Sequence, residues 1–293
     1  MTNELAALSN ELATAVERAG PSVVAVHARP RFPSSGVFWR PGVIVSAEHT
    51  IRLEEEITVT LPDGSNVPAT LAGADAGTDV AVLRVDPAFS APTLRPAPLP
   101  PAGNLVLAIG RSPDSGVNAT MGIISAVSGS WRTWRGGRLD HYIRLDVTLY
   151  PASSGGVAVN IEGEAIGIAT SALSRIAGLA IPAATVDRVV DEILAHGRVA
   201  RPYLGVGLQP VELPDQRKGL IVLSLEPGGP ADQAGVLVGD IFVSLGGRTV
   251  ADTDDIQGVL ESHGAGQTLE AGLLRGGSPQ NLAITTAERS RRS

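Results

Sequence analysis

The segment Tyr150-Pro-Ala-Ser-Ser-Gly-Gly-Val157 sets a serine between a proline turn and two glycines, just ahead of the alternating run Val157-Ala-Val-Asn160. Glycine permits positive φ and a close backbone approach, so small residues around a serine let its hydroxyl and neighbouring N–H groups face one reacting carbonyl. Ser154 is the candidate nucleophile. Taken alone, Ser-Gly-Gly reads more readily as a glycine-rich hairpin. A hydroxyl is a weak nucleophile unless a base takes its proton and a third group orients that base. The chain has five histidines, His27, His49, His141, His196 and His263. His49 follows the apolar run Val43-Ile-Val-Ser-Ala47, where a strand leaves the core and a side chain can face a cleft. His27 and His141 fall inside strand-like segments, and His196 and His263 precede glycines at helix ends, so these four read as structural or solvated residues. Asp79 opens the β-type run Asp-Val-Ala-Val-Leu-Arg-Val85, which puts its carboxylate at a strand mouth near an imidazole. Read alone, it is a turn aspartate.

The order His49, Asp79, Ser154 is that of chymotrypsin-type triads rather than of the other two common scaffolds. Four blocks carry a closer likeness: Val45-Ser-Ala-Glu-His-Thr-Ile51, Gly77-Thr-Asp-Val-Ala-Val-Leu83, Pro151-Ala-Ser-Ser-Gly-Gly156 and Gly178-Leu-Ala-Ile-Pro182. In sequence, order and spacing they resemble the signature blocks of HtrA/Deg serine proteases. The likeness continues through Arg201-Pro-Tyr-Leu-Gly-Val206 into a PDZ-like region, so it covers nearly the whole chain. It implies a mostly β protein, a chymotrypsin-like double β-barrel followed by an α+β PDZ domain. It also implies ATP-independent cleavage of unfolded or misfolded proteins by Ser-His-Asp acyl transfer.

In that family the oxyanion is held by backbone N–H groups that match Ser154 and Ala152. The primary pocket matches Leu149, Leu179, Ala180 and Ile181, which implies a small site for aliphatic side chains; the same residues read equally as plain core. The PDZ match assigns a carboxylate-binding loop to Tyr203, Leu204, Gly205 and Val206. It assigns the wall of a peptide groove to Ile256 and Leu260. The implied partners are polypeptide substrates and peptide C-termini, with assembly into a homo-oligomer, a trimer in the family. No metal or organic cofactor is called for. The sequence also departs from the family pattern. The nucleophile block reads Ala152-Ser-Ser-Gly-Gly-Val157 where the family has Gly-Asn-Ser-Gly-Gly-Pro. A Cβ at the first of these positions costs roughly 1 kcal/mol in the left-handed region, which predicts an oxyanion loop misformed at rest. Glu48 adds a negative charge beside His49. The competing reading is therefore a catalytically weak or inactive peptide-binding scaffold.

Two tryptophans and three arginines in Ser128-Gly-Ser-Trp-Arg-Thr-Trp-Arg-Gly-Gly-Arg138 read as a hairpin whose rings cover a barrel end. The resemblance makes this the loop that senses ligand.

The positioning elements follow from periodicity. The 293 residues suffice for two cores, and with only 3% aromatics those cores must be aliphatic. A formal charge of -7 with mixed signs argues against nucleic-acid binding, and the lack of cysteine excludes disulfides and thiolate chemistry. Leu5, Leu8, Leu12, Ala15 and Val16 fall at helical spacing, predicting an N-terminal helix over 1–20 packed on the first barrel. Short β runs then recur across 21–198, with Asp63-Gly64 marking a hairpin. A helix over 185–198 closes this domain, a PDZ domain occupies 199–288 and 289–293 is a solvated tail. With an acidic N-terminus and no apolar stretch of membrane-spanning length, the expected compartment is cytoplasmic, the alternative being periplasmic if a leader was removed.

Overall fold

A computed structural model describes residues 2–53, 55–89, 91–150 and 152–288. The expected tail at 289–293 and Pro151 of the nucleophile segment lie outside the described residues. Chain contacts divide the protein into two compact units, Met1–Val199 and Ala200–Ser293.

The first unit opens with helix α1 (Thr2–Ala19). Only the C-terminal part of its apolar stripe is used. Ala15 and Ala19 are fully buried and Leu12 packs against the same core, whereas Leu5 is 73% exposed, and the strand contacts of the helix run chiefly to Leu105–Ser112 of the second set and not, as expected, to the first barrel. Seven strands follow: β1 (Val23–His27), β2 (Ser34–Arg40), β3 (Val43–Ala47), β4 (Thr58–Thr60), β5 (Asn66–Pro68), β6 (Thr70–Asp75) and β7 (Val80–Arg84). They form one antiparallel sheet in the order β5-β4-β1-β2-β3-β7-β6. Its seam is not hydrogen-bonded, but Val24, Val26, Phe38, Ile44, Val59, Val67 and Leu83 from six of its strands share one core, so the sheet curls around it. The Asp63-Gly64 hairpin joins β4 to β5, with Gly64 at φ 86°.

The second set comprises β8 (Leu105–Ser112), β9 (Gly116–Ser128), the small pair β10 (Trp131–Arg132) and β11 (Arg138–Leu139), then β12 (Tyr142–Asp146), β13 (Val157–Val159), β14 (Ala165–Thr170) and β15 (Gly178–Pro182). Leaving aside β10 and β11, these strands close into a barrel, β12-β15-β14-β13-β8-β9, because β9 is long enough to pair with β8 at one end and β12 at the other. Helix α2 (Ala183–His196) buries Val186, Val189, Val190 and Ile193 against both strand sets and stops at Gly197, whose φ of 75° only glycine adopts freely.

The second unit contains β16 (Pro202–Tyr203), β17 (Val206–Glu212), β18 (Lys218–Leu225), the short helix α3 (Pro230–Gln233), β19 (Ile241–Leu245), β20 (Arg248–Thr249), α4 (Thr253–His263), β21 (Thr268–Arg275), β22 (Ser278–Thr285) and β23 (Ala287–Glu288). Its main sheet runs β17-β18-β19-β21-β22, leaving β17 at an edge. A capping box starts α4: the Asp252 side chain accepts from the Asp254 and Asp255 amides, while the Asp255 side chain accepts from the Asp252 amide. No helix among the described residues is long and apolar enough to cross a membrane.

Candidate active site

His49 lies in a single turn of 3-10 helix (Glu48–Thr50) directly after β3, and Asp79 immediately precedes β7, the neighbour of β3. The adjacent strands bring together two residues thirty positions apart. Asp79 is fully buried and adopts φ 60°, a left-handed conformation that aspartate tolerates better than most side chains. That conformation lets both its backbone and its carboxylate face the histidine turn. The Glu48 amide donates to the Asp79 carbonyl at 3.0 Å, and the His49 amide to Asp79 Oδ1 at 2.8 Å. The imidazole Nδ1 lies 3.0 and 2.9 Å from Asp79 Oδ1 and Oδ2. Beside a carboxylate that only accepts, Nδ1 carries the proton and Nε2 presents a lone pair.

Asp79 has a further partner that sequence reasoning missed. The Thr170 hydroxyl, at the end of β14 and ninety-one residues away, donates to Asp79 Oδ2. The buried carboxylate thus receives hydrogen bonds from an amide, an imidazole and a hydroxyl. That satisfies a charge which burial would otherwise penalise by several kcal/mol.

Ser154 belongs to the turn between β12 and β13 and is 3% exposed. Gly155 takes φ 85°, and a Cβ there would stand 2.3 Å from the Ser35 carbonyl oxygen, so the segment presses on β2 as only glycine allows. The Ser154 hydroxyl hydrogen-bonds the Ser171 hydroxyl at 3.2 Å and makes no hydrogen bond to His49. The neighbouring Ser153 hydroxyl is buried with no partner among the described residues. Ala152 is half-buried, and its carbonyl accepts from the Ser35 hydroxyl at 2.6 Å.

Other expected site residues fall differently. Leu149 is half-buried and packs on Gly178, whose Cβ would stand 2.8 Å from it. Leu179 and Ile181 belong to the core shared by the two strand sets, and Ala180 to the interior of the closed barrel. These three therefore read as core, and Leu149 alone is partly accessible. Glu48 is offset by Arg135, whose Nη1 lies 3.5 Å from its carboxylate. Arg135 also stacks on Trp134, 4.7 Å from the ring centroid. Trp131 packs edge-on to Tyr142, whereas Trp134 is 73% exposed, so one ring covers the barrel and the other faces solvent. The Thr133 hydroxyl donates to the Gly77 carbonyl at 2.7 Å, which docks this hairpin on the turn that leads to Asp79.

In the second unit Tyr203 pairs with Ala287, and Gly205 has the positive φ of an N–H nest at 74°. Val206 begins the edge strand β17, half-buried and paired with Leu225. Leu204, Ile256 and Leu260 are 2%, 3% and 1% exposed and sit in the domain core.

This combination of strand sets, site and appended domain defines the class of trypsin-like serine peptidases carrying a PDZ domain. The trypsin-like peptidase domain model matches residues 34–168, and the PDZ domain model residues 202–286. A probable periplasmic DegP-like serine endoprotease of Halomonas elongata is 34% identical over 261 residues, covering 84% of this chain and 54% of that protein. The serine endoprotease DegS of Escherichia coli is 30% identical over 305 residues, covering 94% and 85%. A serine endoprotease structure from Yersinia pestis superposes with a TM-score of 0.81 at 33% identity, covering 95% and 98% of the two chains. The HtrA-type protease AlgW bound to a decapeptide also reaches 0.81, at 27% identity over 95% and 99%. The chain belongs to the HtrA family of serine endoproteases. It spans about half the length of the DegP-like relatives it matches (54% of the Halomonas elongata protein). Those relatives are named as periplasmic, so the expected cytoplasmic location finds no support among them.

Proposed function

We propose that the protein is an ATP-independent serine endopeptidase that hydrolyses unfolded or misfolded polypeptides through a covalent acyl-enzyme. The observation that carries this reading is the His49 imidazole held at 2.9 Å by a buried, fully hydrogen-bonded Asp79, within the same unit as a serine on a tight glycine turn. Ser154 Oγ attacks the scissile carbonyl while its proton passes to His49 Nε2. The C–N bond then breaks as the same proton goes to the leaving amine. Water, deprotonated by His49, attacks the ester and releases the acid. Asp79 holds the tautomer and stabilises the imidazolium. The Ser154 and Ala152 amides hold the oxyanion, each donor being worth about 3 kcal/mol in comparable sites. Before this can begin, the Ser154 hydroxyl must leave Ser171 for Nε2, a contact of the kind that tightens when substrate binds.

The edge strand β17 and the Gly205 turn are proposed to take an extended peptide by β-addition, its terminal carboxylate on the N–H nest. We further place the protein outside the cytoplasm, on the strength of the periplasmic names of its relatives, and in a homo-oligomer, as the family resemblance implies. Its domains are taken as 21–198 for the protease and 199–288 for the PDZ domain.

The resting bond from Ser154 to Ser171 favours a second reading, a peptide-binding scaffold with an idle triad. Hydrolysis of β-casein, tested alongside Ser154→Ala and His49→Ala, separates the two. Activity lost in both variants supports the peptidase, and peptide-terminus binding with no hydrolysis supports the scaffold.

A further inference from the structure

Ser35, at the start of β2, has no role in any chemistry considered so far, yet it is fully buried and turns both its amide and its hydroxyl on the nucleophile segment. Its amide donates to the Ser154 carbonyl at 3.2 Å. Its hydroxyl donates to the Ala152 carbonyl at 2.6 Å and accepts from the Arg111 amide at 2.8 Å. Its own carbonyl accepts from the Ser46 hydroxyl at 2.7 Å. The hydroxyl is therefore fixed in direction: with the Arg111 N–H aimed at its lone pair, its proton is committed to Ala152.

The peptide between Ala152 and Ser153 is planar, and it is held at both ends, by Ser35 at its oxygen and by the Tyr150 carbonyl, 2.8 Å from the Ser153 amide. That anchors the peptide plane lying between the two expected oxyanion donors, the Ala152 and Ser154 amides. The neighbouring packing leaves no slack, since a Cβ on Gly110 would stand 2.8 Å from Ser35 Oγ and 3.1 Å from Ser153 Cα. We infer that Ser35 is a positioning residue for the oxyanion hole: acting through the Ala152 and Ser154 carbonyls, the first strand set anchors the backbone that carries the donors for developing charge in the second. This inference rests on the peptidase reading of Ser154.

The test replaces Ser35 with alanine in the full chain. With a peptide anilide ending in valine as substrate, kcat falls about ten-fold while KM stays within about two-fold, the loss expected for one donor weakened by about half of its transition-state contribution. A peptide aldehyde ending in valine, whose adduct with Ser154 uses the same hole, loses affinity by the same factor. A stabilising role alone would lower the melting temperature and move neither quantity. Unchanged or increased kcat in a folded Ser35→Ala protein overturns the inference. If that variant does not fold, Ser35→Cys, similar in size with a weaker donor, is expected to shift kcat and aldehyde affinity the same way, and no shift overturns the inference equally. Amide hydrogen exchange of residues 150–156 gives an arm independent of turnover: faster exchange there in Ser35→Ala is expected, and unchanged exchange overturns the inference. A wild-type protein that neither cleaves nor binds the aldehyde, while Ser35→Ala still loosens this segment, defeats the peptidase reading and leaves the positioning of Ala152 standing.

Discussion

The two halves of the candidate site are built to different standards. On the acid-base side, His49 and Asp79 are joined through both main chain and side chain, and Thr170 completes the carboxylate's partners. On the nucleophile side, Ser153 buries an unpartnered hydroxyl and Ser154 bonds Ser171 instead of the base. A satisfied buried network resists rearrangement, whereas an orphaned hydroxyl costs about 1–3 kcal/mol and lowers the barrier to another arrangement. Under the proposed function, the difference teaches that activity is gained or withheld at the Ser153 and Ser154 hydroxyls and not at the His49–Asp79 pair.

Substitutions can break this contrast or sharpen it. His49→Ala should remove the most, a fall in kcat on the order of 10⁶-fold as in other serine proteases that lose their base, measured by anilide hydrolysis. Asp79→Asn keeps the left-handed backbone, which asparagine tolerates, but leaves the imidazole in the wrong tautomer; a loss of about 10⁴-fold is expected. Thr170→Val deletes one hydrogen bond to a charged group, and about ten-fold in kcat should follow with little change in KM. Ala152→Gly acts on the other half and in the opposite direction. If the working turn needs the left-handed conformation at 152, where a Cβ costs roughly 1 kcal/mol, glycine should raise kcat up to about five-fold, and no gain would mean that this position is not the limiting element.

The smallest effect concerns pH and separates stability from chemistry. Burial pushes the His27 imidazole below its usual value of 6.5. The unfolded chain then takes up a proton that the folded chain resists, so stability is full above pH 6.5 and declines as pH falls below it. Thermal unfolding at pH 7.5 and 5.5 should show this loss, and His27→Gln should reduce it. Activity lost over the same range in the His27→Gln protein then belongs to the site.

Much of the acid-base half left a signal in the sequence, because five histidines are few and His49 directly follows the apolar run Val43-Ile-Val-Ser-Ala47. Hydroxyl residues gave no such signal. Thr170 and Ser35 are common residue types, and their partners lie 91 and 117 positions away, a separation that only the closed arrangement of strands reveals. Strand β2 itself carries no clear pattern, since Pro33-Ser-Ser-Gly36 has the composition of a turn. It becomes a strand because it is clamped between β1 and β3. Leu179, Ile181, Ile256 and Leu260 show the opposite difficulty. Aliphatic residues at the right place for a pocket or groove have the same chemistry as core, and in this fold they are core.

Labelling with a fluorophosphonate, located by mass spectrometry of the intact protein and its peptides, asks most directly whether Ser154 is an activated nucleophile. The account predicts covalent modification at Ser154 that disappears in Ser154→Ala and is strongly slowed in His49→Ala. A folded wild-type protein that stays unlabelled, or is labelled at another serine with His49 intact, contradicts it.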